Sequence, residues 1–219
     1  MSVKSVRTRR VSPDTELAES LQKNWLLNFK IKRPFYFNPK HQEFYNCIMN
    51  PKTKMGFVDG PAGSMKTYIA VYAALKLIRE DQFQRVVYIR SVTESAERSL
   101  GSLPGEIDDK FSPYAIPLEE KVTEITDAGT YSMLKQRGVV EAIPVNFVRG
   151  LTFNKALVIV DEAQNLSRKE LTTILTRFGR YSKYVVIGDC NQADVNKSGY
   201  KEIFNMFNSK QCQDNDIHS

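Results

Sequence analysis

Cysteine is scarce in this sequence of 219 residues, and its three cysteines lie far apart. Cys47, Cys190 and Cys212 are odd in number and lack the close C-x-x-C spacing of a metal site or a redox pair. Reduced thiols fit this pattern best, as expected for a protein of the cytoplasm.

Long apolar runs are missing as well. No stretch approaches the roughly 20 residues that a bilayer-spanning helix needs, and Val3 to Ser12 is too charged to begin a signal peptide. No repeat of fixed period is present, which argues against a solenoid. We therefore expect a soluble cytoplasmic protein with no membrane partner.

Excess positive charge is confined to the N-terminal part of the chain. Residues 1–54 carry 11 Lys and Arg against 4 Asp and Glu, whereas the remainder carries 20 against 21. Such a segment could contact the phosphates of RNA or single-stranded DNA, or an acidic partner, and a solvated basic tail fits equally well. From length and composition we expect a basic arm over 1–30, one domain over 31–208 and a polar tail over 209–219.

The middle of the chain alternates between short apolar segments and helical patterns. Apolar residues recur at helical spacing over Lys66 to Glu80, and a second helix is predicted from Arg168 to Arg177, with Ser167 as its N-cap. Strands that alternate with helices indicate an α/β fold with a parallel sheet. The Gly- and Pro-rich stretch 99–117 is predicted to be an ordered excursion from that sheet. The predicted strands are Met55 to Asp59, Val86 to Ile89, Val139 to Val145, Ala156 to Val160 and Tyr184 to Ile187.

A phosphate-binding loop is predicted between the first strand and the first helix. In such a loop, backbone N–H groups and a helix N-terminus face phosphate oxygens, a lysine reaches the β- and γ-phosphates, and a hydroxyl binds Mg²⁺. An ordinary glycine turn is the competing interpretation, and the strand-turn-helix context argues against it. The loop consists of Gly60, Pro61, Ala62, Gly63, Ser64, Met65, Lys66 and Thr67.

Met65 stands where the usual pattern G-x-x-x-x-G-K-[ST] has glycine. A side chain at this position is expected to keep φ below zero and to crowd the approach to the phosphates.

Two adjacent acids follow the apolar strand from Ala156 to Val160. Asp161 is predicted to hold Mg²⁺ and Glu162 to orient and deprotonate the attacking water. Ligands of open α/β sheets lie beyond the carboxyl ends of the strands, where both motifs fall. The alternative is that the two acids merely begin a loop and cap a helix, but the two motifs together supply phosphate binding, metal binding and a base.

From 35 to 194 the sequence resembles the PhoH family of P-loop ATPases, which includes short proteins carried by bacteriophages and has a core related to superfamily 1 helicases. If the chain is phage-encoded, its location would be the host cytoplasm. The resemblance implies a P-loop NTPase fold, a RecA-like three-layer sandwich around a mostly parallel sheet. Besides the two motifs, it rests on Arg90 through Glu94, Leu100-Gly101, Leu103-Pro104-Gly105, Arg149-Gly150, Thr152, Asp161-Glu162-Ala163-Gln164-Asn165, Arg177, Gly179, Gly188-Asp189 and Gln192.

The resemblance also assigns roles to four further residues. Gln42 resembles the glutamine that recognises adenine, and Gln192 resembles the glutamine that senses the γ-phosphate. Arg177 and Arg149 are candidates for neutralising transition-state charge, in their own subunit or in a neighbour's site. Each role has a plainer alternative: Gln42 could be a surface glutamine, Gln192 a loop residue, and either arginine a member of a structural ion pair.

The sequence therefore predicts an ATPase that uses ATP and Mg²⁺, with RNA or single-stranded DNA as a further partner. The resemblance suggests a ring-shaped homo-oligomer, with a hexamer as the expected form. The alternative is a nucleotide-binding interaction or regulatory protein with little turnover, suggested by Met65.

Overall fold

The structure is a computed structural model that describes residues 29–32, 34, 37–91, 107–192 and 198–218, with 107–112 described by their backbone alone. In chain order, its helices and strands are α1 (Pro39–Met49), β1 (Met55–Asp59), α2 (Lys66–Arg79), β2 (Arg85–Arg90), α3 (Ile107–Ile125), α4 (Thr130–Gln136), β3 (Val140–Pro144), β4 (Ala156–Asp161), α5 (Arg168–Leu175), β5 (Lys183–Gly188), α6 (Tyr200–Phe207), α7 (Lys210–Gln213) and β6 (Ile217–His218).

The described strands form one six-stranded sheet in the order β3-β2-β4-β5-β1-β6. Every pairing between them is parallel, which confirms the predicted α/β class and the five strands expected from the sequence. Asp59 pairs with Gly188, and Arg90 pairs with Asp161. The carboxyl ends of four neighbouring strands therefore meet at one edge of the sheet.

Helices cover both faces of this sheet. On one face, α1 to α4 bury Ile48, Leu75 and Leu118 in a core shared with β2 and β4. On the other face, α5 and α6 bury Leu171 and Ile203. Strands buried on both faces read as continuous apolar runs, as β4 and β5 do. The result is the predicted three-layer sandwich.

The predicted start of α5 is confirmed in detail. The Ser167 hydroxyl accepts the Glu170 N–H at 3.3 Å, and the Glu170 carboxylate accepts the Ser167 N–H at 2.8 Å. This reciprocal pair is a capping box, which satisfies two backbone donors at the helix N-terminus.

Helix α3 covers the end of the stretch that we predicted as an excursion. It continues through Pro113 and Pro117, each of which costs an interior helix about 3 kcal/mol. The helix buries Leu118, Val122 and Ile125 completely against the sheet, at about 1.5–3 kcal/mol for each side chain. The burial of these three side chains is therefore comparable with the cost of the two prolines. Residues 99–106 lie outside the described part of the chain.

Residues 209–218, predicted as a polar tail, form α7 and β6. Strand β6 pairs with β1 and so extends the sheet by one strand. At the other end, Ile31 bridges to Thr126 after α3, while residues 1–28 of the predicted arm lie outside the described residues. The three cysteines are free thiols. Within the described residues, no helix combines the length and apolarity that crossing a membrane requires.

Candidate nucleotide-binding site

The glycine loop runs from the carboxyl end of β1 to the first turn of α2. Its start is fixed to β5, because the Gly60 N–H donates to the Gly188 carbonyl at 3.2 Å. Within the loop, the Ser64 N–H donates to the Pro61 carbonyl at 3.3 Å, and Gly63 has φ 75°. A left-handed glycine in a tight loop before a helix is the geometry that the sequence motif predicts.

Met65 corrects one expectation. Its φ is 60° and its ψ is 13°, so it adopts the left-handed conformation that a glycine would favour here, and not the negative φ that we expected from its side chain. That side chain packs, partly buried, against the core on the α2 face of the sheet. Core packing thus holds Met65 in the backbone conformation of the usual glycine.

The Lys66 ammonium group lies inside the curve of the loop. It donates to the carbonyls of Gly60 and Pro61 at 2.6 and 2.8 Å, and to the Ser64 hydroxyl at 3.2 Å. A cation in the middle of such a loop attracts anionic oxygens.

Thr67 and Asp161 meet directly, although they are 94 positions apart in the chain. The Thr67 hydroxyl lies 3.1 Å from both carboxylate oxygens of Asp161. Tyr88 donates to the same carboxylate at 2.5 Å. Burial, and after it the Asp161 charge, raise the pKa of Tyr88, so this phenol stays protonated and remains a donor. The two predicted motifs converge on one point.

This donor set suits Mg²⁺, which binds through one or two carboxylates, hydroxyls and phosphate oxygens and retains several waters. Thr67 and Asp161 supply hard oxygen atoms side by side. No cluster of three or more His, Cys, Asp or Glu side chains fit to hold a metal is found in the described part of the chain, so an all-protein cage of the kind that zinc uses is not seen there.

Glu162 follows Asp161 on left-handed backbone, with φ 53° and ψ 40°. Its carboxylate accepts the Gln164 side-chain amide at 2.6 Å. The oxygen of the same Gln164 side-chain amide, Oε1, accepts the backbone N–H of Asp189 at 3.1 Å. A chain of hydrogen bonds therefore links the acid after β4 to the residue after β5.

These groups surround a cavity of about 390 Å³ at the carboxyl edge of the sheet, within the usual range for ligand pockets. Gln192 lies on its wall, and the Gln192 N–H donates to the Asp189 carbonyl at 3.2 Å. The lining residues are Ala62, Gly63, Ser64, Met65, Lys66, Thr67, Tyr68, Lys121, Glu124, Asp161, Glu162, Gln164, Ile187, Gly188, Asp189 and Gln192.

Five predicted site residues do not line this cavity. Gly60 and Pro61 belong to the loop and accept hydrogen bonds from Lys66, whereas the other three lie elsewhere. Gln42 is exposed on α1, and its amide donates to Asn46 at 2.8 Å. Arg177 precedes the amino end of β5, and its electrostatic neighbour there is Tyr184, at the opposite edge of the sheet from the glycine loop. Arg149 follows β3 and lines a separate cavity beside the start of α5. A role for either arginine in its own subunit's cavity gains no support from these positions.

The structure adds site residues that sequence reasoning missed. Tyr88 supports Asp161, Gln164 supports Glu162, and Tyr68, Lys121 and Glu124 form part of the cavity wall. The motif match included Gln164 without giving it a role. No local pattern marks Lys121 or Glu124, which reach the cavity only because α3 packs beside α2.

The fold and this site together define a P-loop NTPase. Its overall structure is similar to that of the HK97 bacteriophage large terminase, with a TM-score of 0.51 and 15% identity over 89% of this chain and 42% of the other. At that identity the likeness concerns the fold alone. The family described as PhoH-like protein matches residues 37–218, so the chain belongs to the PhoH family.

Individual relatives agree with this assignment. A PhoH-like protein of Bacillus subtilis is 38% identical over 138 residues, which cover 63% of this chain and 43% of the relative. A PhoH-like protein of Mycobacterium leprae is 38% identical over 171 residues, covering 77% and 48%. Protein PhoH of Escherichia coli K12 is 34% identical over 156 residues, covering 69% and 44%. The chain thus spans less than half the length of these relatives.

Proposed function

We propose that this protein binds ATP in the cavity between the glycine loop and β4 and hydrolyses it with Mg²⁺. The single observation that supports this most strongly is the direct contact between Thr67 and Asp161. It brings the loop that would hold the phosphates to the acid that would hold the metal. The preference for ATP rests on the family resemblance, since Gln42 lies away from the cavity.

In this proposal each group has a separate task. Lys66 and the loop N–H groups bind the β- and γ-phosphates, and Thr67 and Asp161 hold Mg²⁺, which would neutralise phosphate charge. Glu162 orients the attacking water and accepts its proton, and Gln192 contacts the γ-phosphate. The chemistry is an in-line attack by water that depends on positioning and charge stabilisation.

The test is Glu162→Gln, which keeps the size of the side chain and removes the base. We expect ATP to bind with unchanged affinity and phosphate release to fall by a factor of about 10²–10⁴. Glu120→Gln, an exposed acid on α3, is the matched control and should behave like the unaltered protein. Unchanged turnover in Glu162→Gln would remove Glu162 from the mechanism. ATP binding without turnover in the unaltered protein would favour the interaction or regulatory alternative.

We further propose that turnover is coupled to RNA or single-stranded DNA and occurs in a ring-shaped homo-oligomer, with a hexamer as the expected form. The support for nucleic acid is the basic N-terminal segment, and the support for the ring is the family resemblance. In such a ring Arg177, which lies away from its own cavity, would act in a neighbour's site. Oligonucleotide affinity should fall as salt rises, because phosphate contacts release counterions. Affinity that does not change with salt concentration would contradict phosphate contacts. The ring is tested separately by sedimentation in the presence of ATP, which measures the mass of the assembly.

A further inference from the structure

Arg90, the last residue of β2, lies beside the proposed base. Its guanidinium NH2 is 3.7 Å from Oε1 of Glu162, and the two side chains are 30% and 38% exposed. This distance is an ion-pair contact and is too long for a hydrogen bond. The register of the sheet causes the contact, because Arg90 pairs with Asp161 in the β2–β4 ladder.

The other oxygen of Glu162 is held from a second direction. Oε2 accepts the Gln164 amide, and Gln164 is only 4% exposed and is itself bound to the Asp189 backbone. The Ser91 hydroxyl donates to the Asn165 carbonyl at 3.3 Å, which ties the end of β2 to the turn after Glu162. The carboxylate therefore lies between a guanidinium at the end of β2 and an amide in the turn after β4.

Arg90 itself does not line the nucleotide cavity, whereas Glu162 and Gln164 do. Its Nε is buried without a hydrogen-bond partner among the described residues, so the guanidinium keeps one donor that no described group accepts. A buried donor without a partner costs free energy, which is why such groups call for an explanation beyond fold stability. A purely structural ion pair at this exposure would contribute little to the stability of the fold.

We infer that Arg90 is a positioning residue for Glu162. Together with Gln164 it fixes the direction of the carboxylate that faces the attacking water, and it contacts neither the phosphates nor the metal. This inference rests on the proposed function and adds a residue that the motifs do not assign. It acts on the rate of hydrolysis and leaves nucleotide binding to the glycine loop.

The experiment compares Arg90→Gln with Arg85→Gln in the full chain. Arg85 begins the same strand and pairs with Glu141 at 3.0 Å, each side chain being 35% exposed, so it controls for the loss of a half-buried ion pair in β2. We expect Arg90→Gln to lower kcat about 10–100-fold, the usual effect of a misplaced reacting group, with unchanged affinity for a fluorescent ATP analogue. Arg85→Gln should change neither quantity, and Arg90→Lys should recover part of kcat.

A double-mutant cycle tests whether Arg90 acts through Glu162. In single-turnover hydrolysis, Arg90→Gln should have no further effect once Glu162→Gln is present, because the group that it positions is gone. Equal kcat in Arg90→Gln and the unaltered protein, or additive losses in the cycle, would overturn the inference while leaving the ATPase proposal standing. Absence of turnover in the unaltered protein would overturn both. Loss of analogue binding in Arg90→Gln would show a structural role instead.

Discussion

Two residues of the site adopt left-handed backbone although neither is glycine. Met65 and Glu162 have φ 60° and 53°, a conformation that costs most residues about 1–2 kcal/mol. Met65 offsets this cost by packing on the core, and Glu162 by its bond to Gln164. The conformation of Met65 could not be predicted from the sequence, because the packing around it comes from distant segments. The partner of Glu162 is only two residues away, but no local pattern marks that bond.

The left-handed conformation of Met65 predicts which of two substitutions at this position gives the more stable protein. Met65→Ala and Met65→Gly both remove the buried side chain, but glycine also removes the strain of the positive φ. We therefore expect the glycine variant to be more stable than the alanine variant by about 1 kcal/mol, measured as the free energy of unfolding in urea. This order is the reverse of that in a helix interior, where alanine is favoured.

Lys76→Ala and Lys76→Gly, inside α2, provide the matched control. Both variants lose the hydrogen bond from Lys76 to the Tyr45 hydroxyl, so their difference reports the backbone alone. At this position the alanine variant should be the more stable of the two. An alanine variant that is also more stable at Met65 would contradict the left-handed conformation.

At the scale of elements, Lys183 connects β5 to the end of α1. It is 3% exposed, and its ammonium donates to the carbonyls of Ile48 and Asn50 at 2.5 and 2.7 Å. A cation at a helix C-terminus satisfies carbonyls that have no partner within the helix. Burial lowers the pKa of Lys183 to about 8.

This lowered pKa predicts a change in stability with pH. Between pH 8 and about 10.5, Lys183 is still protonated in the unfolded chain but has lost its proton in the folded chain. Raising the pH through this range therefore increases the free energy of unfolding. From about pH 7 to about 9.5, the free energy of unfolding should rise by about 1–2 kcal/mol relative to that of Lys183→Met.

The neighbouring thiol needs a control, because burial raises the pKa of Cys47 and its titration has the opposite effect on stability. Both proteins are therefore compared in a Cys47→Ala background. Parallel pH profiles for the two proteins would contradict the lowered pKa of Lys183.

Elements with a strong local pattern could be predicted, and those stabilised by packing could not. The apolar spacing of α2 and the capping box of α5 mark both helices in the sequence. Helix α3 contains two prolines, and β6 is two residues long. Their stability comes from the core and from β1, which no local pattern reveals.

For the whole molecule, the sequence predicts the centre of the site better than its surroundings. The sheet brings Lys66, Thr67, Asp161 and Glu162 together because all four lie at or just beyond the carboxyl ends of parallel strands. Gln42 and Arg177 were assigned by resemblance, and they lie elsewhere because a motif does not specify how a side chain is directed in the folded chain.

The position of β1 in the sheet also affects the order in which the protein can assemble on the ribosome. Among the described strands, β1 pairs only with β5 and β6, which are synthesised more than a hundred residues later. At roughly 5–20 residues per second, the strand that leads into the glycine loop waits on the order of ten seconds for its first neighbour. Until then its open edges are available to chaperones and to other nascent chains, and a pocket able to hold nucleotide forms only after β5 has been synthesised.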